Sequence, residues 1–129
     1  MSDADLMPNP ETALANCAIL RAQNDAFRTS LGTDPRYQGR VMMTPGILQL
    51  SPEAQERAWD AIVEESVFDD NDPFEEHGSG SVEVTIEQGP VTLCWKIDCY
   101  DLAYEFGSED PTDPGRTRRV LTLCFPSEY

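Results

Sequence analysis

A chain of 129 residues, 40% of them hydrophobic and including two Trp, four Tyr and five Phe, has the length of one domain and the material for one sizeable core. Its 24 acidic side chains against nine basic ones give a net charge of −15, which disfavours nucleic acid and anionic membrane surfaces as direct partners and favours basic ones. No apolar run approaches the length of a membrane span and no apolar leader follows Met1, so the sequence reads as a cytoplasmic protein.

Residues 1–10, with Pro8 and Pro10, read as a flexible tail, and 11–129 as a single domain. A first helix is expected from a Thr12 cap to about Thr29, with Leu14, Ala18, Leu20, Phe27 and Leu31 along one side and Gly32 as its stop. Thr33 to Gly39 is a loop, and Arg40 to Thr44 a short strand stopped by Pro45-Gly46. A second helix begins with Ser51 as N-cap, Pro52 in the first turn and Glu53 complementing the dipole. Ala58, Trp59, Ile62, Val63 and Val67 recur at helical spacing, which carries it to about Ser66.

Asp69 to Gly80 is polar and reads as a loop. Ser81 to Glu87 alternates, with Val82, Val84 and Ile86 on one face. Gln88-Gly89-Pro90 turns the chain into a second alternating run, Val91 to Asp101. There Leu93, Trp95, Ile97 and Cys99 share one face, and Thr92, Cys94, Lys96, Asp98 and Tyr100 the other. Tyr104 to Gly115 is a second acidic loop, and Arg118 to Phe125 a last strand closed by Pro126. The order α-β-α-β-β-β predicts an α+β domain, two helices packed on one face of an antiparallel sheet of about four strands. The four cysteines form no C-x-x-C pair. Cys94 and Cys99 point to opposite faces of their strand, so reduced and mostly buried thiols are expected.

The charge is segregated. From Asp60 to Asp113 there are sixteen acids and one basic residue, Lys96. Residues 1–59 carry seven acids and five arginines, and residues 114–129 one acid and three arginines. Within the acidic stretch lie two segments of the form F-x-x-x-D-P, Phe68 to Pro73 and Phe106 to Pro111. In each, the Phe is expected to anchor the loop in the core. The Asp before Pro is biased towards extended or turn conformations, and Asp and Asn side chains build turns on nearby backbone N–H groups.

Three readings of these loops stand side by side, besides plain solubility. Asp69, Asp70, Asn71, Asp72, Glu75 and Glu76 offer hard oxygens to Ca²⁺ or Mg²⁺, but Pro73 and the spacing break the EF-hand pattern, so no metal or other cofactor is called for. A small metal-dependent hydrolase or nuclease would draw on Asp72, Glu76, His77 (the only histidine), Lys96 and Asp98; no nucleophile-elbow, zincin or P-loop signature accompanies them. A binding surface would use Asp69, Asp70, Asp72, Glu75, Glu76, Lys96, Asp98, Tyr100, Asp101, Glu109, Asp110 and Asp113 as a carboxylate field with aromatics at its rim. Its partner would be a basic protein surface of the kind nucleic-acid-binding proteins carry, with carboxylates standing in for phosphates. Whether the two loops are adjacent in space decides between a site and mere solubility.

Asn24-Asp25-x-Phe27, Gly39-Arg-Val-Met-Met-Thr-Pro-Gly46, Phe68 to Gly78, Trp95-Lys-Ile-Asp98 with Tyr100-Asp101, Phe106 to Pro114 and Arg119-Val-Leu-Thr122 resemble the signature of the small bacterial domain-of-unknown-function family 3768. The chain departs from that signature at Gly78-Ser79, where an aspartate and an aromatic residue are expected, and at Cys99, where an aromatic is expected. The resemblance implies no activity. It implies a setting on plasmids and other mobile elements, where anti-defence proteins that bind and block restriction or CRISPR machinery occur. The combined expectation is a small acidic interaction module, an inhibitor of anti-CRISPR or anti-restriction type acting as a DNA mimic.

Overall fold

The computed structural model describes residues 10–64, 67–68 and 75–129. Its first helix, α1 (Pro10–Thr29), ends where Leu31 and Gly32 take left-handed backbone angles. The Leu31 N–H then bonds Arg28 O and the Gly32 N–H bonds Phe27 O, closing the last turn. Strand β1 (Gly39–Met43) leads into a four-residue helix, α2 (Pro45–Leu48), where the sequence predicted only a strand stop. Helix α3 (Pro52–Glu64) starts as expected, with the Ala54 N–H donating to Ser51 Oγ at 3.1 Å. It stops before Val67, which belongs to the two-residue strand β2 (Val67–Phe68). Strands β3 (Ser79–Ile86) and β4 (Gly89–Tyr100) form a hairpin with Gly89 at φ 116°, and β5 (Arg118–Cys124) follows the second acidic loop.

The protein is α+β, and among the described residues the five strands form one sheet in the order β1-β5-β4-β3-β2. Antiparallel pairing holds from β5 to β2, but β1 lies parallel to β5, Gly39 opposite Arg119 and Met43 opposite Leu123. The expected antiparallel sheet therefore holds for every described pair but this one. Short-range alternation cannot reveal it, because the α2–α3 connection carries the chain from one edge of the sheet to the other. Gly39 is required there: a Cβ would collide with the backbone carbonyl of Arg119.

Helices α1, α2 and α3 pack on one face. The core joins Phe27, Ile47 and Ile62 to Val82, Leu93, Trp95, Leu121 and Leu123. These strand residues share one face by register, as their period-two spacing predicts. Helix α1 departs from its predicted apolar side. Leu14 is 66% exposed, and the buried positions next to Phe27 are Gln23, Asn24 and Arg28. Gln23 and Asn24 meet loop carbonyls and Arg28 meets the Ile62 carbonyl near the end of α3, so amides and a guanidinium serve where a leucine could not.

Candidate interaction surface

Strand directions put the described part of the first acidic loop, residues 75–78, and the second acidic loop at one end of the sheet. The former leads into β3 and the latter follows β4, so both lie at the β4 C-terminus, with Ser79 opposite Lys96 and Tyr100 opposite Arg118. Asp69, Asp70 and Asp72 lie outside the described residues, and so does the tail to residue 9. The remainder of the first loop is fastened to α1. Asn24 Nδ2 donates to Glu76 O at 3.0 Å, and Arg21 reaches the Glu75 carboxylate at 3.4 Å. His77 Nδ1 meets Asp25 Oδ1 at 2.9 Å while its ring stacks on Phe68, 3.7 Å between centroids. Glu75 and His77 hold left-handed backbone angles (φ 52° and 56°), which those contacts sustain.

The second loop is fastened one residue away on the same helix. Gln23 Nε2 donates to Thr112 O at 2.8 Å. Between the two fastenings sits Arg119, 1% exposed. Its Nε donates to Asn24 Oδ1 at 2.9 Å and its Nη2 to Gln23 Oε1 at 2.8 Å, with Pro111 O at 3.4 Å. One guanidinium therefore orients two amides, and each amide holds one loop. Burial pulls the pKa of Arg119 below its ordinary value, yet an arginine stays charged. The sequence offered a signal for it: Arg119 stands in the alternating series with Leu121 and Leu123, a charge at a core-facing position. Gln23 carried no comparable signal, and Asn24 carried only its place in the Asn24-Asp25-x-Phe27 segment.

Within the second loop the carboxylates build its turns. Asp101 Oδ1 accepts from the Ala103 and Glu105 N–H groups at 3.2 and 3.1 Å. Asp110 Oδ1 accepts from the Thr112 N–H at 3.2 Å and its hydroxyl at 2.6 Å. Asp113 Oδ1 caps the 3-10 turn Pro114–Arg116 through the Gly115 N–H at 2.9 Å. Glu109 pairs with Arg116 at 2.8 Å. The two F-x-x-x-D-P segments differ in their phenylalanines. Phe68 packs against the core, edge-on to Trp95, whereas Phe106 is 71% exposed and does not anchor its loop. The loop is closed instead by backbone bonds, Asp101 N–H to Phe106 O and Ser108 N–H to Cys99 O.

Lys96, Asp98 and Tyr100 lie on the sheet face opposite the helices, paired with Thr122, Val120 and Arg118 of β5. Lys96 Nζ is 3.2 Å from Asp98 Oδ2, and that carboxylate raises the ammonium's pKa. Glu76 and His77 are on the helix side, so the sheet separates them from Lys96 and Asp98, and those four do not form one site. Among the described residues no three His, Cys, Asp or Glu side chains are grouped to hold a metal. Among the described residues the cysteines form no disulfide, and burial pushes the Cys99 thiol's pKa up. Among the described residues no helix is long and apolar enough to cross a membrane.

Folding also remixes the charge. Arg21 and Arg116, from the two flanks, pair with Glu75 and Glu109. Such exposed pairs are worth at most about 1 kcal/mol each. The loop from Asp101 to Thr117 still holds five acids against Arg116 alone.

No curated protein and no solved structure matches the chain. A family model matches residues 43–128, a range that takes in both acidic loops, the hairpin and β5 and leaves α1 outside. On that match the chain belongs to the family described as "Protein of unknown function (DUF3768)".

Proposed function

We propose that this chain is a small acidic protein-interaction module, and that the loop end of its sheet binds a basic surface of a nucleic-acid-handling protein. The observation that carries the reading is the shared placement of the two loops, both fastened to Gln23 and Asn24 around Arg119. Glu75, Glu76, Asp101, Glu105 and Glu109 thereby come from separate segments to one end of the fold. Nucleic-acid-handling proteins carry clustered Lys and Arg surfaces, and a complementary field speeds encounter with them. The self-capped turns at Asp101, Asp110 and Asp113 are ordered before binding, which lowers the cost of association. Occupying such a groove inhibits its owner. Anti-restriction or anti-CRISPR inhibition by DNA mimicry is the form this takes when carboxylates stand where phosphates would.

The test is capture from a bacterial lysate on the immobilised full chain, at low salt and at about 1 M salt, where the Debye length is about 3 Å. The expected result is a basic, nucleic-acid-binding protein. It should be released by salt, displaced by duplex DNA, and lost when Asp69, Asp70 and Asp72 or Glu105 and Glu109 are changed to their amides. Retention of nothing at low salt, or retention that survives neutralising both loops, refutes the reading.

A further inference from the structure

Resting on that reading, we propose that the anchor of the interface is an apolar groove on the loop between β4 and β5. Its occupant is a cationic protein segment that carries an apolar side chain among its Lys or Arg residues. The groove, about 550 Å³ and open to solvent, is lined by Leu102, Phe106 and Gly107, with Asp101, Glu109 and Arg116 as its polar lining. Leu102 is 53% and Phe106 71% exposed.

This exposure belongs to a loop that is held in shape. The Asp101 N–H bonds Phe106 O at 2.8 Å and the Ser108 N–H bonds Cys99 O at 3.0 Å, closing the neck. The Asp101 carboxylate ties down the backbone at Ala103 and Glu105. Tyr104, at φ 59°, lies against the Arg40 guanidinium, 3.9 Å from its ring centroid. Leaving a phenyl ring in water forgoes the burial that drives folding. A pre-organised loop that presents one beside an exposed leucine offers an aromatic anchor of the kind enriched at interfaces, with its ordering cost already met.

Charge selects the occupant. The groove sits in the segment with five acids and one arginine. Glu105 is exposed, and Glu109, 85% exposed, is matched across the groove's own lining by Arg116. An incoming guanidinium or ammonium can take either carboxylate. The apolar floor distinguishes an amphipathic cationic segment from a polyamine or a purely lysine-rich tail, which would leave Phe106 and Leu102 in water.

Two synthetic peptides of equal length and charge test this by calorimetry against the full chain. One is a helical peptide with Lys on one face and Leu and Trp on the other, and in its control Ser replaces every Leu and Trp. The amphipathic peptide is expected to bind at least about tenfold tighter. Phe106→Ala, and independently Leu102→Ser, should remove the difference while leaving the salt dependence of the control peptide unchanged. E105Q/E109Q should weaken both peptides alike. Equal binding of the two peptides, or a preference that survives both groove variants, overturns the groove and leaves the acidic-surface reading standing. Failure of both peptides to bind at low salt overturns both.

Discussion

Replacing Arg119 by methionine removes the guanidinium and keeps an unbranched apolar stem in its place. Two amide oxygens, Asn24 Oδ1 and Gln23 Oε1, then lose their donor in a site where the parent residues are 4% and 6% exposed. Each buried acceptor left without a partner costs about 1–3 kcal/mol. Releasing a buried cation offsets part of that, so the expected net loss is about 2–4 kcal/mol. That is a large share of a domain stability of about 5–15 kcal/mol, and for a domain of this size it lowers Tm by roughly 10 °C. Urea unfolding followed by circular dichroism measures the loss. Hydrogen exchange at the His77, Gly78 and Asp113 amides reports whether both loops loosen together. Arg119→Lys should lose nearly as much, because an ammonium lacks the planar fork that reaches both amides. In the Arg119→Met background, Asn24→Leu should cost at least about 1 kcal/mol less than in the parent, the coupling expected of direct partners. A variant within about 0.5 kcal/mol of the parent, with unchanged exchange in both loops, refutes the idea that one buried charge fastens them.

The two F-x-x-x-D-P segments should respond oppositely to the same substitution. Phe68→Ala removes a ring packed on His77 and Trp95 and should cost about 2–3 kcal/mol, whereas Phe106→Ala should change stability by less than about 0.5 kcal/mol; equal losses would refute the assignment of one ring to packing and the other to solvent. Glu128 fastens the C-terminal turn by accepting from Thr44 Oγ1 at 2.7 Å, the Phe125 N–H at 3.0 Å and the Gly46 N–H at 3.0 Å, and these bonds hold its pKa below the ordinary 4.5, the Thr44 hydroxyl foremost. A depressed carboxylate contributes stability that is complete above the unfolded pKa and is lost as pH falls through the folded one. Acid titration of stability below pH 4.5 should therefore flatten in Glu128→Gln, and an identical acid profile in that variant would show that the turn is held otherwise.

The α3 start, the β3–β4 hairpin and the partition of β4 into a Leu93–Trp95–Ile97 face and a Lys96–Asp98–Tyr100 face could all be read from local chemistry. Capping and alternation act over a few residues, and there the local preference agrees with the final packing. The buried side of α1 could not be read in that way. Asn24 and Gln23 are buried because two loops distant in sequence present carbonyls to them, and no window of helical periodicity contains that fact. The same holds for the pairing of β1 with β5, fixed by the fit of Gly39 against the Arg119 backbone across the sheet.

The charge followed both routes. Amino-acid order alone determined that the excess of acids over bases is confined to one stretch, that part of it lies in two loops of one pattern, and that the complement of such a field is basic. Tertiary structure decided that the loops share one end of the sheet, because each follows a strand running in the same direction and each is tied to neighbouring amides of α1. It also returned Arg21 and Arg116 to the acids they were separated from in sequence. And it turned one phenylalanine of the repeated pattern into the core and the other into water, since burial depends on what the rest of the chain places overhead.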